Sequence, residues 1–285
     1  MTKRYHFISG LPRAGSTLLS SILNQNPQFT AGISDPLRMY VHSIIRDTST
    51  AVGMDIAIPI SKRKEVIHGI FNSFYSDATN VCFNTNRIWT SDTALLADLF
   101  PNFKMIVCFR DIPWILDSFE QLNTKNPYTI KPLYHYQQLS SVYDRTNMLM
   151  GNFQSYDGNV KAPLASMYQS VFSNETRNIL YVEYDSLVST PEIILKQIYT
   201  FLEEPWFNHD FNNVIGSYDE FDNEAMIQGL HKVRPIVSFE PRTSILPADL
   251  RQQYATSNFW KYNFDHIKSN LNWVGTPSLN KSRQL

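Results

Sequence analysis

Three observations predict an α/β fold in which a parallel sheet is flanked by helices on both faces. YHFISGLPRAGSTLLSSILNQN, residues 5–26, reads as a strand, a glycine-bounded loop and an amphipathic helix. FKMIVCFRD, residues 103–111, is a near-continuous apolar run of the kind buried in a parallel sheet. Strand and helix signals then alternate along much of the 285-residue chain, the order that builds parallel strands through helical crossovers. Such sheets bind ligands beyond the carboxyl ends of their strands, so the polar tips of the strands are where chemistry is expected.

The first strand covers residues 5–9. Gly10 and Gly15 then bracket Leu11-Pro12-Arg13-Ala14, and Ser16-Thr17 open a helix with Leu18, Leu19, Ile22 and Leu23 on one face. This is the spacing of loops whose backbone N–H groups cradle phosphate at a helix N-terminus, a P-loop. Nucleotide-triphosphatase loops place Lys after the second glycine. Here Ser16 stands there and the cation, Arg13, lies inside the loop. A phosphate-bearing ligand is expected, without magnesium-assisted ATP cleavage. Asn26-Pro27 ends the helix.

FTAGISDP reads as a loop, and a helix follows from about Leu37 to Thr48. Residues 62–76 carry Val66, Ile67, Ile70, Phe71 and Phe74 at helical spacing. NVCFNTNRIW reads as a strand with a polar tip, and SDTALLADLF as a short helix capped by Ser91 or Asp92. After the apolar strand, Pro113 sits near the start of helix IPWILDSFEQL. Residues 123–160 are polar and aromatic, and 161–175 read as helix; together 123–175 are expected to form a helical lid or acceptor wall. NILYVEYDSLV is a fourth strand with its exit, followed by the amphipathic helix TPEIILKQIYTFL. Little regular pattern follows Trp206 before a helix near Asp249–Tyr254. No repeat divides the chain, so residues 1–285 are expected to form one domain.

Hydrophobic residues at 43% against 18% charged place the chain among globular proteins. A net charge of −1, with no run of Lys or Arg, argues against a general nucleic-acid binder. Cys82 and Cys108 lie in apolar runs and read as structural thiols. The first strand begins too early to leave room for a signal peptide, and no apolar run approaches a membrane span, so a cytoplasmic protein is expected. The seven histidines are scattered without ligand spacing, and no metal site is expected.

Taken together, the tips GLPRAGST, NTNRIW, FRD and EYD form a more specific pattern than any one of them. The pattern resembles the sulfotransferases that use 3′-phosphoadenosine 5′-phosphosulfate (PAPS). It is most similar to the branch of tyrosylprotein and many bacterial enzymes, whose loop also reads Pro-Arg-x-Gly-(Ser/Thr)-Thr. The resemblance covers roughly residues 5–120 and 178–255. It implies a 5′-phosphosulfate site at Arg13, Ala14, Gly15, Ser16 and Thr17, and a 3′-phosphate site at Arg110 and Ser118. It also implies an adenine-side Tyr184 and a closing basic loop, LHKVRP, with Lys232 and Arg234. The product would be 3′-phosphoadenosine 5′-phosphate (PAP), and no metal is implied.

Sulfuryl transfer needs a base at the acceptor and cations at the leaving phosphate. The loop GISDPLR puts Asp35 where the tyrosylprotein branch has a catalytic carboxylate, and His42 is the alternative base. Arg87, with Asn84 or Thr85, stands where the family often has a Lys that assists the leaving group. The acceptor is expected to be a hydroxyl or amine of a small molecule. The resemblance extends to cyanobacterial tailoring enzymes for saxitoxin-type alkaloids. Asp35, Asp144 and Asp157 suit a cationic acceptor; Tyr134, Tyr136 and Tyr143 suit a flat or aromatic one. Two competing readings share the fold: a small-molecule kinase using ATP and magnesium, with Asp111 as metal ligand, and a nucleotide-binding module without turnover.

Overall fold

A computed structural model describes residues 3–50, 53–128, 140–151, 158–216, 218–224, 226–262 and 271–275. Its elements, in chain order, are β1 (Arg4–Gly10), α1 (Ser16–Leu23), β2 (Phe29–Ala31), α2 (Leu37–Thr50), α3 (Met54–Ala57), α4 (Ile60–Phe74), β3 (Val81–Thr85), α5 (Thr93–Leu99), β4 (Met105–Phe109) and α6 (Ile112–Lys125). They continue with α7 (Val142–Leu149), α8 (Lys161–Ser170), β5 (Ile179–Glu183), α9 (Tyr184–Ser189), α10 (Pro191–Leu202), α11 (Asp219–Glu224), α12 (Ala248–Ala255), α13 (Phe259–Tyr262) and β6 (Asn272–Val274).

The strands form one parallel sheet in the order β2-β3-β1-β4-β5-β6. His6 of β1 lies opposite Phe83 of β3, and Ser9 lies opposite Val107 of β4. The central strands are buried throughout, which is why their sequences are apolar runs rather than alternations. Helices cover the sheet through stripes such as Leu19, Ile22 and Leu23 of α1, and Ile194, Leu195, Ile198 and Leu202 of α10. Pro191 starts α10, where its missing N–H costs nothing.

Connections from β1 run towards β2 and β3, whereas those from β4 run towards β5 and β6. The switch point therefore lies between β1 and β4, and the loops leaving these two strands frame a crevice.

Several expectations need amendment. Phe29–Ala31, read as loop, is the edge strand β2. Asn24 holds it there, donating from Nδ2 to Ala31 O (2.9 Å) and accepting the Ala31 N–H at Oδ1 (2.7 Å). At the other edge β6 is equally short. The expected helix over 161–175 stops at Ser170. It belongs to the core: Met167 is buried, and the Ser170 and Tyr181 hydroxyls lie 2.8 Å apart. Tyr134, Tyr136 and Asp157 fall outside the described residues. Cys82 and Cys108 are buried free thiols, pushed up by burial to about 11 and about 12. Among the described residues, no helix is long and apolar enough to cross a membrane.

Candidate active site

The turn out of β1 is built by backbone constraint. Gly10 has φ 109°, and a Cβ there would sit 2.2 Å from Cys108 O. Leu11 N–H donates to that same carbonyl at 2.8 Å, locking the loop against β4. Arg13 is held at φ 58°, a left-handed conformation costing a non-glycine residue roughly 1–2 kcal/mol. Gly15 has φ 92°, and a Cβ there would meet the Tyr184 ring at 2.7 Å. Gly15 caps α1 without a side-chain acceptor, leaving first-turn N–H groups towards a cleft lined by Gly15, Ser16, Thr17 and Leu18. Ala14 differs from its neighbours: its methyl is buried in the core, so only its backbone is available.

The cleft has a volume of about 1660 Å³ and receives the tips of several strands. Arg13, partly buried, donates from Nε to Ser118 Oγ (3.0 Å) and from Nη1 to Leu230 O. Burial first, then repulsion from Arg87 and Arg110, pulls its pKa down to about 10, against the opposing pull of Tyr184 and Asp222. Burial also lowers the Arg87 pKa. At the tip of β4, Arg110 lies 4.3 Å over the Tyr184 ring, with its Nη2 3.6 Å from Asp185. Its Nε is buried without a hydrogen-bond partner. Crowded, desolvated guanidiniums of this kind are relieved by a bound anion.

The C-terminal segment closes one side. Asp117 of α6 is fully buried and pairs with Arg242 at 2.8 Å; it also accepts from Ser244 Oγ (3.0 Å) and the Ile245 N–H (2.7 Å). Arg242 stacks 5.2 Å over Trp114. Lys232 is exposed at the rim, while Arg234 is held by Ser238 O (2.9 Å) and Glu240.

Two expected groups are placed elsewhere. Asp35 does not line the cleft. Its Oδ2 accepts the Thr85 N–H at 2.7 Å and the Tyr75 hydroxyl at 3.4 Å, and its own N–H donates to Thr85 O at 3.0 Å. It fastens the turn after β2 to the end of β3, and burial pushes its carboxyl up to about 6. His42 also lies off the cleft: its Nε2 sits 3.1 Å from Asp92, which Arg38 binds at 2.6 Å. The acceptor-side candidates Tyr143 and Asp144 are likewise off the cleft, bonded to Asp249 and Ser141 respectively. Asp111 is tied to Lys261 at 2.6 Å. Arg13, Gly15, Ser16, Thr17, Arg87, Arg110, Ser118, Tyr184, Lys232 and Arg234 are brought together.

His231 was not singled out by the sequence, yet it lines the cleft. It is buried, its Nδ1 lies 2.7 Å from Asp222 Oδ1, and its backbone N–H donates to both Asp222 oxygens at 3.1 and 3.0 Å. Phe221 packs edge-on to the imidazole at 4.8 Å. Its sequence signal is only a place beside Lys232 in LHKVRP; the pairing with DEFDNE is tertiary.

Protein-tyrosine sulfotransferase A of Caenorhabditis elegans is 23% identical to this chain over 216 residues, or 72% of this chain and 51% of that protein. The chain thus spans about half the length of this curated relative. A solved sulfotransferase from Alicyclobacillus acidocaldarius has TM-score 0.52 and 12% identity over 79% of this chain and 90% of its own, which shows the shared fold. The sulfotransferase domain from the curacin biosynthetic pathway has TM-score 0.47 and 15% identity over 73% and 76%. The profile of the sulfotransferase family matches residues 6–208, a span that runs from β1 past α10 and takes in the loop, Arg110 and Tyr184. By that match the chain belongs to the sulfotransferase family.

Proposed function

We propose that the chain transfers a sulfuryl group from PAPS to a hydroxyl or amine of a small-molecule acceptor, releasing PAP. The observation that carries this reading is the convergence of the loop's N–H groups with Arg13, Arg87 and Arg110 at the β1/β4 switch point. A ligand with two phosphate groups would meet the loop's N–H groups together with three guanidiniums, those of Arg13, Arg87 and Arg110, in one cleft. The loop and the start of α1, with the Ser16 and Thr17 hydroxyls, would take the 5′-phosphosulfate. Arg110, whose buried Nε lacks a partner, would take the 3′-phosphate together with Ser118. Tyr184, against which both Gly15 and Arg110 lie, would pack beside the nucleoside. Lys232 and Arg234 would close over it.

Arg13 would stabilise charge growing on the bridging oxygen, and Arg87 would assist the leaving group. Ser118 is held by Arg13, so phosphate arrival would exchange that hydrogen bond for charge-assisted ones. The cleft's volume of about 1660 Å³ exceeds the roughly 300–1,000 Å³ typical of one drug-sized ligand, which leaves room for an acceptor beside the donor. Of the expected acceptor-side insertion over 123–175, the described residues on the cleft wall are Lys125, Asn126, Gly158, Asn159, Ala162 and Pro163.

A guanidinium alkaloid of the saxitoxin type is the acceptor class that the sequence resemblance suggests, although Glu240 on the cleft wall is already paired with Arg234. A tyrosyl peptide is the acceptor class that the name of the nematode relative suggests. The buried free thiols suit a reducing, cytoplasmic setting. A kinase reading is disfavoured by Ser16 in place of Lys and by the Asp111–Lys261 ion pair. The test is transfer of ³⁵S from labelled PAPS to a panel holding a phenol, an alkyl alcohol, an amine, a guanidinium alkaloid and a tyrosyl peptide. Labelled product is expected from at least one. Absence of product from all, with phosphoryl transfer from ATP and magnesium instead, would overturn the reading.

A further inference from the structure

Placing Asp35 and His42 off the cleft leaves the proposed reaction without either base expected from the sequence. The Asp222–His231 pair supplies the missing geometry. Asp222 accepts the Nδ1–H of His231 at 2.7 Å and, with both oxygens, the backbone N–H of the same residue. A carboxylate here fixes the tautomer, so the proton sits on Nδ1 and the lone pair on Nε2. Phe221 holds the ring from its edge, and the residue is buried, so the imidazole has one orientation. Position follows from the chain: the carbonyl that Arg13 grips belongs to Leu230, the residue next to His231. The charges acting on the imidazole are Asp222, Arg87 and Arg13. The pair thus sits beside Arg13, assigned above to the bridging oxygen, and Arg87, assigned to the leaving group.

Resting on the PAPS reading of this cleft, we propose that His231 is the general base of sulfuryl transfer and that Asp222 is its positioning residue. The acceptor's O–S or N–S bond forms as the bond from sulfur to the bridging oxygen of the 5′-phosphate breaks. The electron pair moves onto that oxygen beside Arg13, and the acceptor proton passes to His231 Nε2, leaving with solvent afterwards. No oxidant, reductant or metal enters this balance. Burial keeps the imidazole pKa below the usual 6.5 despite Asp222, with Arg87 and Arg13 acting in the same direction as burial. His231 is therefore neutral and competent near neutrality.

The test compares wild type, H231Q and D222N in ³⁵S transfer from PAPS to a phenol, an alcohol, an amine and water, with PAP binding measured by calorimetry. H231Q should lose about 10²–10³-fold in kcat while PAP affinity stays within about twofold. The wild-type kcat/KM profile should fall on the acid side at a pH below 6.5, and H231Q should lose that limb. D222N should keep the fold and PAP binding yet also lose kcat. The introduced side-chain amide would still accept the backbone N–H at its oxygen while its NH₂ group donates to Nδ1, which reverses the tautomer. Added imidazole should restore part of the H231Q rate. Full kcat with an unchanged acid limb in H231Q, while wild type binds PAP and turns over, would overturn the base assignment alone. A wild type that neither binds PAP nor transfers sulfuryl to any probe would overturn the PAPS reading, and this assignment with it. Wild type that binds PAP but transfers to no probe, water included, would overturn the catalytic assignment.

Discussion

Gly15 and Arg110 both lie against the Tyr184 ring, so three residues share one constraint. Gly15→Ala puts a Cβ at φ 92° and 2.7 Å from that ring. The backbone strain alone costs on the order of 1–3 kcal/mol. The ring can yield only by disturbing the stack on Arg110, so PAP affinity should fall at least tenfold in calorimetry; unchanged affinity would contradict the geometry. Arg110→Ala removes a charge-assisted contact worth roughly 1.5–3 kcal/mol, or about 10- to 150-fold in PAP binding. Arg110→Lys should fall between, since an ammonium keeps the charge but loses the planar fork. Both glycines and Arg110 were legible in the sequence because backbone conformation and strand-tip position are local properties.

At the scale of elements, two carboxylates act as fasteners. Asp117 anchors the segment around Arg242–Ile245 to α6 through an ion pair and two further hydrogen bonds. Asp117→Ala leaves the Ser244 and Ile245 donors without their acceptor, at roughly 1–3 kcal/mol for a buried group. It should lower the melting temperature by several degrees and weaken PAP binding through the loosened wall. Asp35 fastens the turn after β2 to β3 with a carboxyl pushed up to about 6 from 3.8. The fold binds the proton more tightly than the unfolded chain, so this group's contribution is fully present below about pH 3.8 and is lost as pH rises through about 6. Asp35→Asn keeps an oxygen for the Thr85 N–H and carries no charge. Relative to that variant, the wild type should lose melting temperature as the pH rises from about 4 to about 7; parallel pH profiles would contradict the account.

Legibility also divides at this scale. Long elements with strong periodicity, such as α1, α4 and α10, match the sequence reading closely. The short edge strands β2 and β6 did not register, because pairing with a neighbour makes them strands. Asp35 looked like a base from its loop alone; its use by Thr85 and Tyr75 depends on a contact across the sheet edge. His231 was missed for the converse reason: Asp222, which orients it, lies in a segment with no repeating pattern.

Across the whole molecule, a chain of net charge −1 gathers cations where its strands end and leaves the remainder net negative. A cleft of this kind should bind a multiply charged anion with an affinity that falls as salt rises. The family match covers residues 6–208, whereas His231, Lys232, Arg234 and Arg242, on the wall that completes the cleft, lie beyond it. The most direct test of the central claim is a thermal-shift titration with 3′,5′-adenosine diphosphate beside ATP plus magnesium. A ligand at about a hundred times its Kd adds roughly 2.7 kcal/mol of stability. The account predicts a rise of several degrees with the 3′,5′-diphosphate and little with ATP and magnesium. A rise with ATP and magnesium alone would contradict it.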